Sequence, residues 1–450
     1  MKQITLKLDL YEYKQVESSC KLAAEKLAID KEEVEQDLQE LMSLLEFHRD
    51  KQAHKKKEQK SISVPTASVT KCTEFLKQRK LIERLNKLIG KAGIEGEETN
   101  RILLFIIASS YKMPDTLHAL IQGSSGSGKT RLLKIISDMM PGEDVKKYTR
   151  VTDNSFYNQD EYFFVNQLVC FEDLDGLKDE ALLAVRELMS NEILRSSTSL
   201  KDKNGSITGG ERIVRGPIAS MSCTTRGEVY EDNISRCFLI AVDESKEQTL
   251  RIINYQNRVA AGLLDKSEQQ KVKLFIQNCI RLLKPYEVIN PYANKIKLPQ
   301  SAHKIRRLNE LYQSFVRQIT LLNQFQRKKD KQGRLITEKA DLQAACDILF
   351  ESIILKVDEL DGSLRQFFEK LKEHIKNEER DFTQREIRQK FNISKSQMQR
   401  YMYSLLSYGY VYQTGGYVNK GLRYKIVYWD NHHKQRAEIQ DYLQNQLATL

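Results

Sequence analysis

What the sequence lacks narrows it first. No apolar run in its 450 residues approaches the roughly 20 that a membrane span requires. The longest, residues 102–109, is under half that length, and mean hydropathy is −0.54. These values argue against an integral membrane protein. The N-terminal Met-Lys-Gln-Ile-Thr-Leu-Lys-Leu alternates like a strand and has no signal-peptide core, which argues against secretion. No two of the seven cysteines are close enough for a CxxC pair, and their number is odd. Neither a disulfide framework nor a cysteine zinc site fits that pattern. Cys170, Cys223 and Cys237 fall inside strand-like apolar runs, where a thiol acts as a small hydrophobe. A reducing compartment follows, and the cytoplasm is the expected location. No internal repeat is visible. With 40% hydrophobic residues, a chain of this length buries a large core without metals or cross-links, so wholesale disorder is excluded.

What is present is uneven charge. Lysine and arginine total 72 against 61 acids, a net +11, which favours polyanionic partners only weakly at this size. Residues 1–50 carry 12 acids and 7 bases, whereas residues 51–90 carry 11 bases and 3 acids. The length suggests two to four domains at roughly 100–200 residues each.

Residues 1–47 read as a mainly helical region suited to docking a partner, and 48–73 as a basic flexible linker containing His54-Lys-Lys-Lys57 followed by Ser, Pro and Thr. From 74 to 245, leading helices give way to short β-rich runs alternating with helical segments, the pattern of an α/β domain with a parallel sheet. Residues 246–375 are almost wholly helical in pattern. A mixed module at 376–435 and a helical tail at 436–450 complete the chain.

The strand-like run ending at Gln122 leads into Gly123, Ser124, Ser125, Gly126, Ser127, Gly128, Lys129 and Thr130, after which a helical pattern begins. This is G-x-x-x-x-G-K-[ST] in its strand–loop–helix setting. Glycines let backbone N–H groups turn inward around a phosphate, and the helix start adds its positive dipole end. Lys129 supplies a charge for the β/γ-phosphates of ATP, and Thr130 offers a hydroxyl to Mg²⁺. Further on, Leu168-Val-Cys-Phe171 is an apolar strand ending in Glu172-Asp173. Such an edge can give one acid to the Mg²⁺ shell and the other to the attacking water.

Val169-Cys-Phe-Glu-Asp-Leu-Asp-Gly-Leu177 resembles the second nucleotide motif of the minichromosome-maintenance helicases, AAA+ ATPases of the pre-sensor-1 hairpin clade. The likeness continues in order over about residues 90–355. It takes in the helix at 184–193, the hairpin at 200–210, the sensor 1 strand at 218–225, Ser235-Arg236-Cys-Phe238 and the sensor 2 helix at Ile305-Arg306-Arg307. More narrowly, the chain resembles the helicase-like ATPases of bacterial mobile elements and phages, which are often linked to a primase. The resemblance implies an α/β AAA+ P-loop core with a helical lid, and a ring of identical subunits, with six as the expected number. It implies Thr224 (with Thr225 as alternative) as sensor 1, Arg236 as an arginine finger reaching a neighbouring subunit, and Arg306 (with Arg307 as alternative) as sensor 2. Glu172 would serve the metal and Asp173 the water, although the pair is inverted from the family's usual Asp-Glu and leaves those roles open. Lys201 and Lys203 on the hairpin would pull on DNA phosphate in a central pore. Without the family, Arg236 and Arg306 read as ordinary surface arginines, and the hairpin as a plain turn at Asp202-Lys-Asn-Gly205.

The C-terminal module has a capped helix with Thr383 before Glu386, a turn, a second helix from Lys395, and two strands around Gly415-Gly416. That is the winged-helix pattern, and residues 381–435 hold 9 bases and 3 acids. Lys395, Gln397 and Arg400 would face a DNA groove, with Lys420 and Arg423 on the wing. The combined expectation is an ATP-driven DNA-translocating motor, a replicative helicase whose N-terminal region docks a primase or another replication partner. The alternatives are a non-unwinding AAA+ switch and an ATP-controlled DNA-binding regulator.

Overall fold

The computed structural model describes residues 4–6, 8–58, 64–201, 207–225, 236–300, 304–358, 360, 362–417 and 421–450, with the side chains at 46–58, 198–201, 207–209 and 356 outside that description. The chain divides into two units, Met1–Ser63 and Val64–Leu450. The first is a helix pair, α1 (Tyr13–Leu27) and α2 (Lys31–Glu58), joined where Ala28 adopts a left-handed conformation at φ 58°. The described residues before α1 form no strand, despite their alternation. Alternation alone makes no strand without an edge to pair with. The stretch expected to be a linker, 48–73, is helical at both ends. Its Lys, Glu, Gln and Ala residues are good helix formers and continue α2 to Glu58, and α3 has begun by Thr66.

The second unit begins with helices α3 (Thr66–Leu76), α4 (Leu81–Lys91) and α5 (Glu98–Ser109). Then follow β1 (His118–Gln122), α6 (Lys129–Ser137), β2 (Val145–Tyr148), β3 (Gln167–Phe171) and α7 (Asp179–Asn191). A hairpin, β4 (Ile193–Lys201) with β5 (Ile207–Arg215), precedes β6 (Ile218–Thr224) and β7 (Phe238–Ala241). Its strands extend the expected 200–210 hairpin in both directions, because Leu194 and Val214 at its base are buried against α7.

Five strands form one parallel sheet in the order β2–β3–β6–β1–β7. Side chains alternate along each strand, so each strand feeds two cores. Ala119, Ile121, Leu168, Cys170, Ala219, Met221, Phe238 and Ile240 pack on one face with α5 and α6. Leu120, Val169, Phe171, Ile218 and Leu239 pack on the other with α7. Burial on both faces explains why these strands read as continuous apolar runs rather than alternating ones. All seven cysteines are buried and free.

Helices α8 (Lys246–Ala260), α9 (Lys266–Leu282), α10 (Ile305–Leu322) and α11 (Lys339–Val357) follow, with a two-residue strand pair, β8 (Val288–Ile289) and β9 (Leu335–Ile336). The C-terminal module comprises α12 (Gly362–Ile375), β10 (Phe382–Thr383), α13 (Gln384–Phe391), α14 (Lys395–Ser407), β11 (Val411–Tyr417) and β12 (Gly421–Ile426). Its sheet order is β10–β12–β11. Thr383 caps α13 by accepting from Glu386 N at 3.2 Å, as its spacing predicts. The module starts earlier than the expected 376: Leu360, Leu364, Phe367, Phe368 and Leu371 pack into its core with Ile387, Met402 and Tyr424. The amphipathic stripe of α12 belongs there and not to the helices before it. The last helix, α15 (His432–Ala448), returns Ile439 and Leu443 to the main core. Among the described residues, no helix is long and apolar enough to cross a membrane.

A buried charge network ties these joints. Arg365 on α12 donates to both Asp358 oxygens at 2.6 and 2.5 Å and to Asp430 at 2.6 Å, while Lys372 pairs with Asp430 at 2.8 Å. The Arg365 and Asp358 side chains are 7% and 3% exposed. Removing one partner strands the other charge away from water. Arg365→Ala is therefore expected to destabilise the second unit by about 3–5 kcal/mol, read from the midpoint of chemical denaturation.

Candidate functional site

Parallel pairing sets the geometry. Gln122 is in register with Thr224 and Phe171 with Ser222, so β1, β6 and β3 end at one edge of the sheet. In open α/β sheets, ligands bind outside such carboxyl ends. The glycine-rich loop leaves β1 here. Gly126 and Gly128 have φ of +82° and +98°, where a side chain is strained. At Gly123 the demand is room, since an added Cβ would lie 2.5 Å from Val242 Cγ2. Helix α6 starts at Lys129, aiming its N-terminus into the loop.

Lys129 Nζ donates to the carbonyls of Gly123 at 2.9 Å and Ser124 at 2.6 Å, across the mouth of the loop. Burial lowers its pKa, opposed by Glu244, Asp175 and Asp173, so these three carboxylates lie within electrostatic reach. The Ser127 hydroxyl is buried with no hydrogen-bond partner among the described residues. Such an orphaned donor inside a ring of N–H groups suits an anionic oxygen.

The acidic pair closes the loop's far side. Glu172 pairs with Lys134 of α6 at 3.1 Å, and Asp173 Oδ1 accepts from Asp175 N at 3.1 Å. Cys223, buried between Lys129, Thr130 and the acids, has its thiol pushed up to about 12 by burial, so it stays protonated. The remaining donors, the Thr130 hydroxyl and carboxylate oxygens, are hard ligands of the kind Mg²⁺ takes.

Both threonines named from the sequence meet a residue that sequence reasoning missed. Thr224 Oγ1 donates to Asp175 Oδ1 at 2.6 Å, while Thr225 donates to Asp175 Oδ2 through N at 2.8 Å and Oγ1 at 2.9 Å. The available signal was Leu174-Asp-Gly176, a turn beginning one residue past the acidic pair. Glu244 was also missed. Its carboxylate accepts from Ser124 N at 2.6 Å and Ser124 Oγ at 2.8 Å, tying the segment after β7 to the loop. Just past Thr130, Arg131 reaches Gly93 O at 3.4 Å and lies 5.2 Å from the Tyr255 ring centroid. Gln269 donates to the Tyr255 hydroxyl at 2.9 Å. Together these join the start of α6 to segment 93–96, α8 and α9.

Other expected site residues lie elsewhere. Arg236 precedes β7 at the opposite edge of the sheet, near His118, which starts β1. At about 3.3 Å per residue it stands roughly 20 Å from its own loop along the strand direction. Arg306 is exposed in the first turn of α10, with Arg307 half-buried beside it. Among the described residues, no hydrogen bond or ion pair joins Arg306 to the loop. Lys201 ends β4 with its side chain outside the described residues, and Lys203 and Lys420 lie outside them altogether.

On the C-terminal module, Lys395 and Arg423 are exposed. Gln397, expected to face a DNA groove, is half-buried and donates to Tyr401 of its own helix at 2.9 Å. Arg400, given the same role, points back instead: Nη1 donates to Thr225 O at 3.0 Å. Its length and fork let it reach a carbonyl on the core that sequence distance hides.

Residues 63–284 match a family model described as the MTBMA_p00010 P-loop domain. This part of the chain is a P-loop domain, a unit that binds or hydrolyses nucleotides. The match spans the leading helices, the parallel sheet, the hairpin, α8 and α9. No curated protein matches the chain.

His118, hydrogen-bonded to Ser220 Oγ at 3.0 Å, has its pKa lowered to about 4, first by burial and then by Arg236. A histidine whose folded pKa lies below its unfolded value releases its proton on folding, so acid favours the unfolded chain. Its contribution is complete above pH about 6.5 and is lost between there and pH about 4, to a total of about 3 kcal/mol. His118→Asn is expected to flatten that part of the stability–pH curve measured by denaturation.

Proposed function

We propose that the chain is an ATP-driven AAA+ motor that moves on DNA, a replicative helicase of a bacterial mobile element or phage working as a ring, with six subunits as the expected number. The observation that carries this reading is the split of the site between two sheet edges. Lys129, Thr130, the acidic pair and Asp175 gather at one edge, and Arg236 sits at the other. Only a neighbouring copy of the chain can bring an equivalent arginine to this loop.

Thr130 and Glu172 would hold Mg²⁺, which when bound offsets the charge on the β- and γ-phosphate oxygens of ATP. The loop's N–H groups and Lys129 bind phosphate. Asp173 orients the attacking water, and Thr224 senses the terminal phosphate while held by Asp175. Arg131 and Tyr255, beside segment 93–96, form the wall against which the base would rest. Arg306 completes the set as sensor 2.

Support for DNA as partner comes from the C-terminal module. Tyr412 pairs in register with Lys425, Gly415 with Arg423 and Tyr417 with Gly421, so the outer face of the β11–β12 hairpin carries two tyrosines and two cations. Tyr412 and Tyr417 are 60% and 75% exposed. Exposed rings among cations suit stacked bases and phosphates. Lys395 on α14 and Lys420 on the wing would add phosphate contacts, as would Lys201 and Lys203 on the hairpin. The N-terminal helix pair is the docking candidate for a primase or another replication protein.

The second reading, a non-unwinding AAA+ switch or an ATP-controlled DNA-binding regulator, draws on Arg400, an exposed arginine whose guanidinium is engaged by the Thr225 carbonyl of the core.

Forked-DNA unwinding with ATP is the deciding assay. Strand separation is expected in the wild type and absent in Lys129→Ala; ATP turnover without separation would favour the switch. A second test addresses the shared site. Arg236→Ala is expected to lose ATPase by about 10³-fold, the scale of a missing arginine finger, while retaining ATP binding. Mixing Arg236→Ala with Lys129→Ala should restore part of the activity, because some interfaces then hold one intact loop and one intact arginine. A mixture as inactive as its components would sink the shared-site model.

A further inference from the structure

We propose that Arg400 is a positioning residue for the nucleotide site, acting within the same chain from the C-terminal module through Thr225 and Asp175. The contact is an Arg400 Nη1 donation to the Thr225 carbonyl at 3.0 Å, across 175 residues of sequence. An exposed helical arginine ordinarily ends in water or on a carboxylate. This one ends on a backbone oxygen at the point where β6 leaves the sheet, and no carboxylate pairs with it among the described residues.

What it holds matters more than the bond itself. Thr225 gives both its N–H and its hydroxyl to Asp175 Oδ2, and Thr224 gives its hydroxyl to Asp175 Oδ1. The Asp175 carboxylate in turn lies within electrostatic reach of Lys129. Arg400, Thr225 and Asp175 thus form a continuous chain of hydrogen bonds that ends within electrostatic reach of the phosphate-loop lysine. The Thr225 carbonyl lies one residue beyond the last register pair, Gln122 with Thr224, so the sheet does not fix it. The guanidinium supplies that restraint.

The same cation faces a competing demand. Arg400 lies on α14 with Lys395, the helix that a winged-helix module turns toward nucleic acid. A phosphate seated on α14 takes the Arg400 guanidinium from Thr225, since one fork in one orientation cannot serve both. Occupancy of α14 therefore loosens the β6 end, and the C-terminal module reports its ligand to the nucleotide site. This rests on the reading of that site as one that hydrolyses ATP.

The test uses the full chain as wild type, Arg400→Ala and Arg400→Lys, with two independent readouts. Amide hydrogen exchange at Thr225 is expected to quicken about tenfold in Arg400→Ala, the scale of one charge-assisted hydrogen bond, with exchange across 384–407 unchanged. In ATP hydrolysis, kcat is expected to fall by about tenfold at a KM within about twofold of wild type, with partial rescue by Arg400→Lys, which keeps the charge but loses the fork. Forked DNA added to the wild type should move Thr225 exchange toward the Arg400→Ala value. Unchanged Thr225 exchange in Arg400→Ala overturns the proposal whether or not the protein turns over ATP. So does faster exchange throughout 384–407, which marks a merely structural role. If exchange responds as expected but the wild type hydrolyses no ATP, the hydrolysis reading fails and the positioning role stands.

Discussion

Everything at the nucleotide edge depends on the parallel register of three strands. Because Gln122 lies beside Thr224 and Phe171 beside Ser222, the glycine-rich loop, the acidic pair and the two threonines leave the sheet together. No side chain needs to be long to bring them close. The register is enforced by burial on both faces. A one-residue slip of β6 would exchange Ala219 and Met221 with Ile218, moving each into the wrong core. The same register keeps Arg236 at the far edge. The assembly of that edge and the distance of Arg236 from it thus follow from one constraint.

Much of this was legible in the sequence, for definable reasons. The loop from Gly123 to Thr130 is read from local needs: positive φ at two glycines, a helix start, a cation and a hydroxyl. The acidic strand declares itself through an apolar run ending in carboxylates. The cap at Thr383 and the two-helix, two-strand order of the C-terminal module are likewise local signals.

What was not legible is long-range. Asp175 with Thr224 and Thr225, Glu244 with Ser124, and Arg400 with Thr225 are joined across 49 to 175 residues. Periodicity carries no information about such pairs, because an exposed polar residue on a turn or helix face has the same local pattern with or without a distant partner. The assignment of α12 failed for a related reason. Its apolar stripe is evident, but a stripe does not say which of two cores it faces, and Phe367 and Phe368 answer to Tyr401 and Tyr410. Residues 48–58 misled in the opposite way: a run of like charge reads as solvated linker, although lysine and glutamate sustain a helix well.

The buried thiols have a use as clocks. Every cysteine among the seven is free and shielded, and burial pushes Cys170 and Cys223 up to about 12, so the folded chain presents almost no thiolate to an alkylating reagent. Labelling therefore proceeds only through molecules that have opened. Cys223, lodged between Lys129, Thr130 and the acidic pair, times the opening of the nucleotide edge, whereas Cys346, against Tyr312 on α10, times the helical layer behind it. The native sequence thus carries its own reporters of where the molecule breathes first.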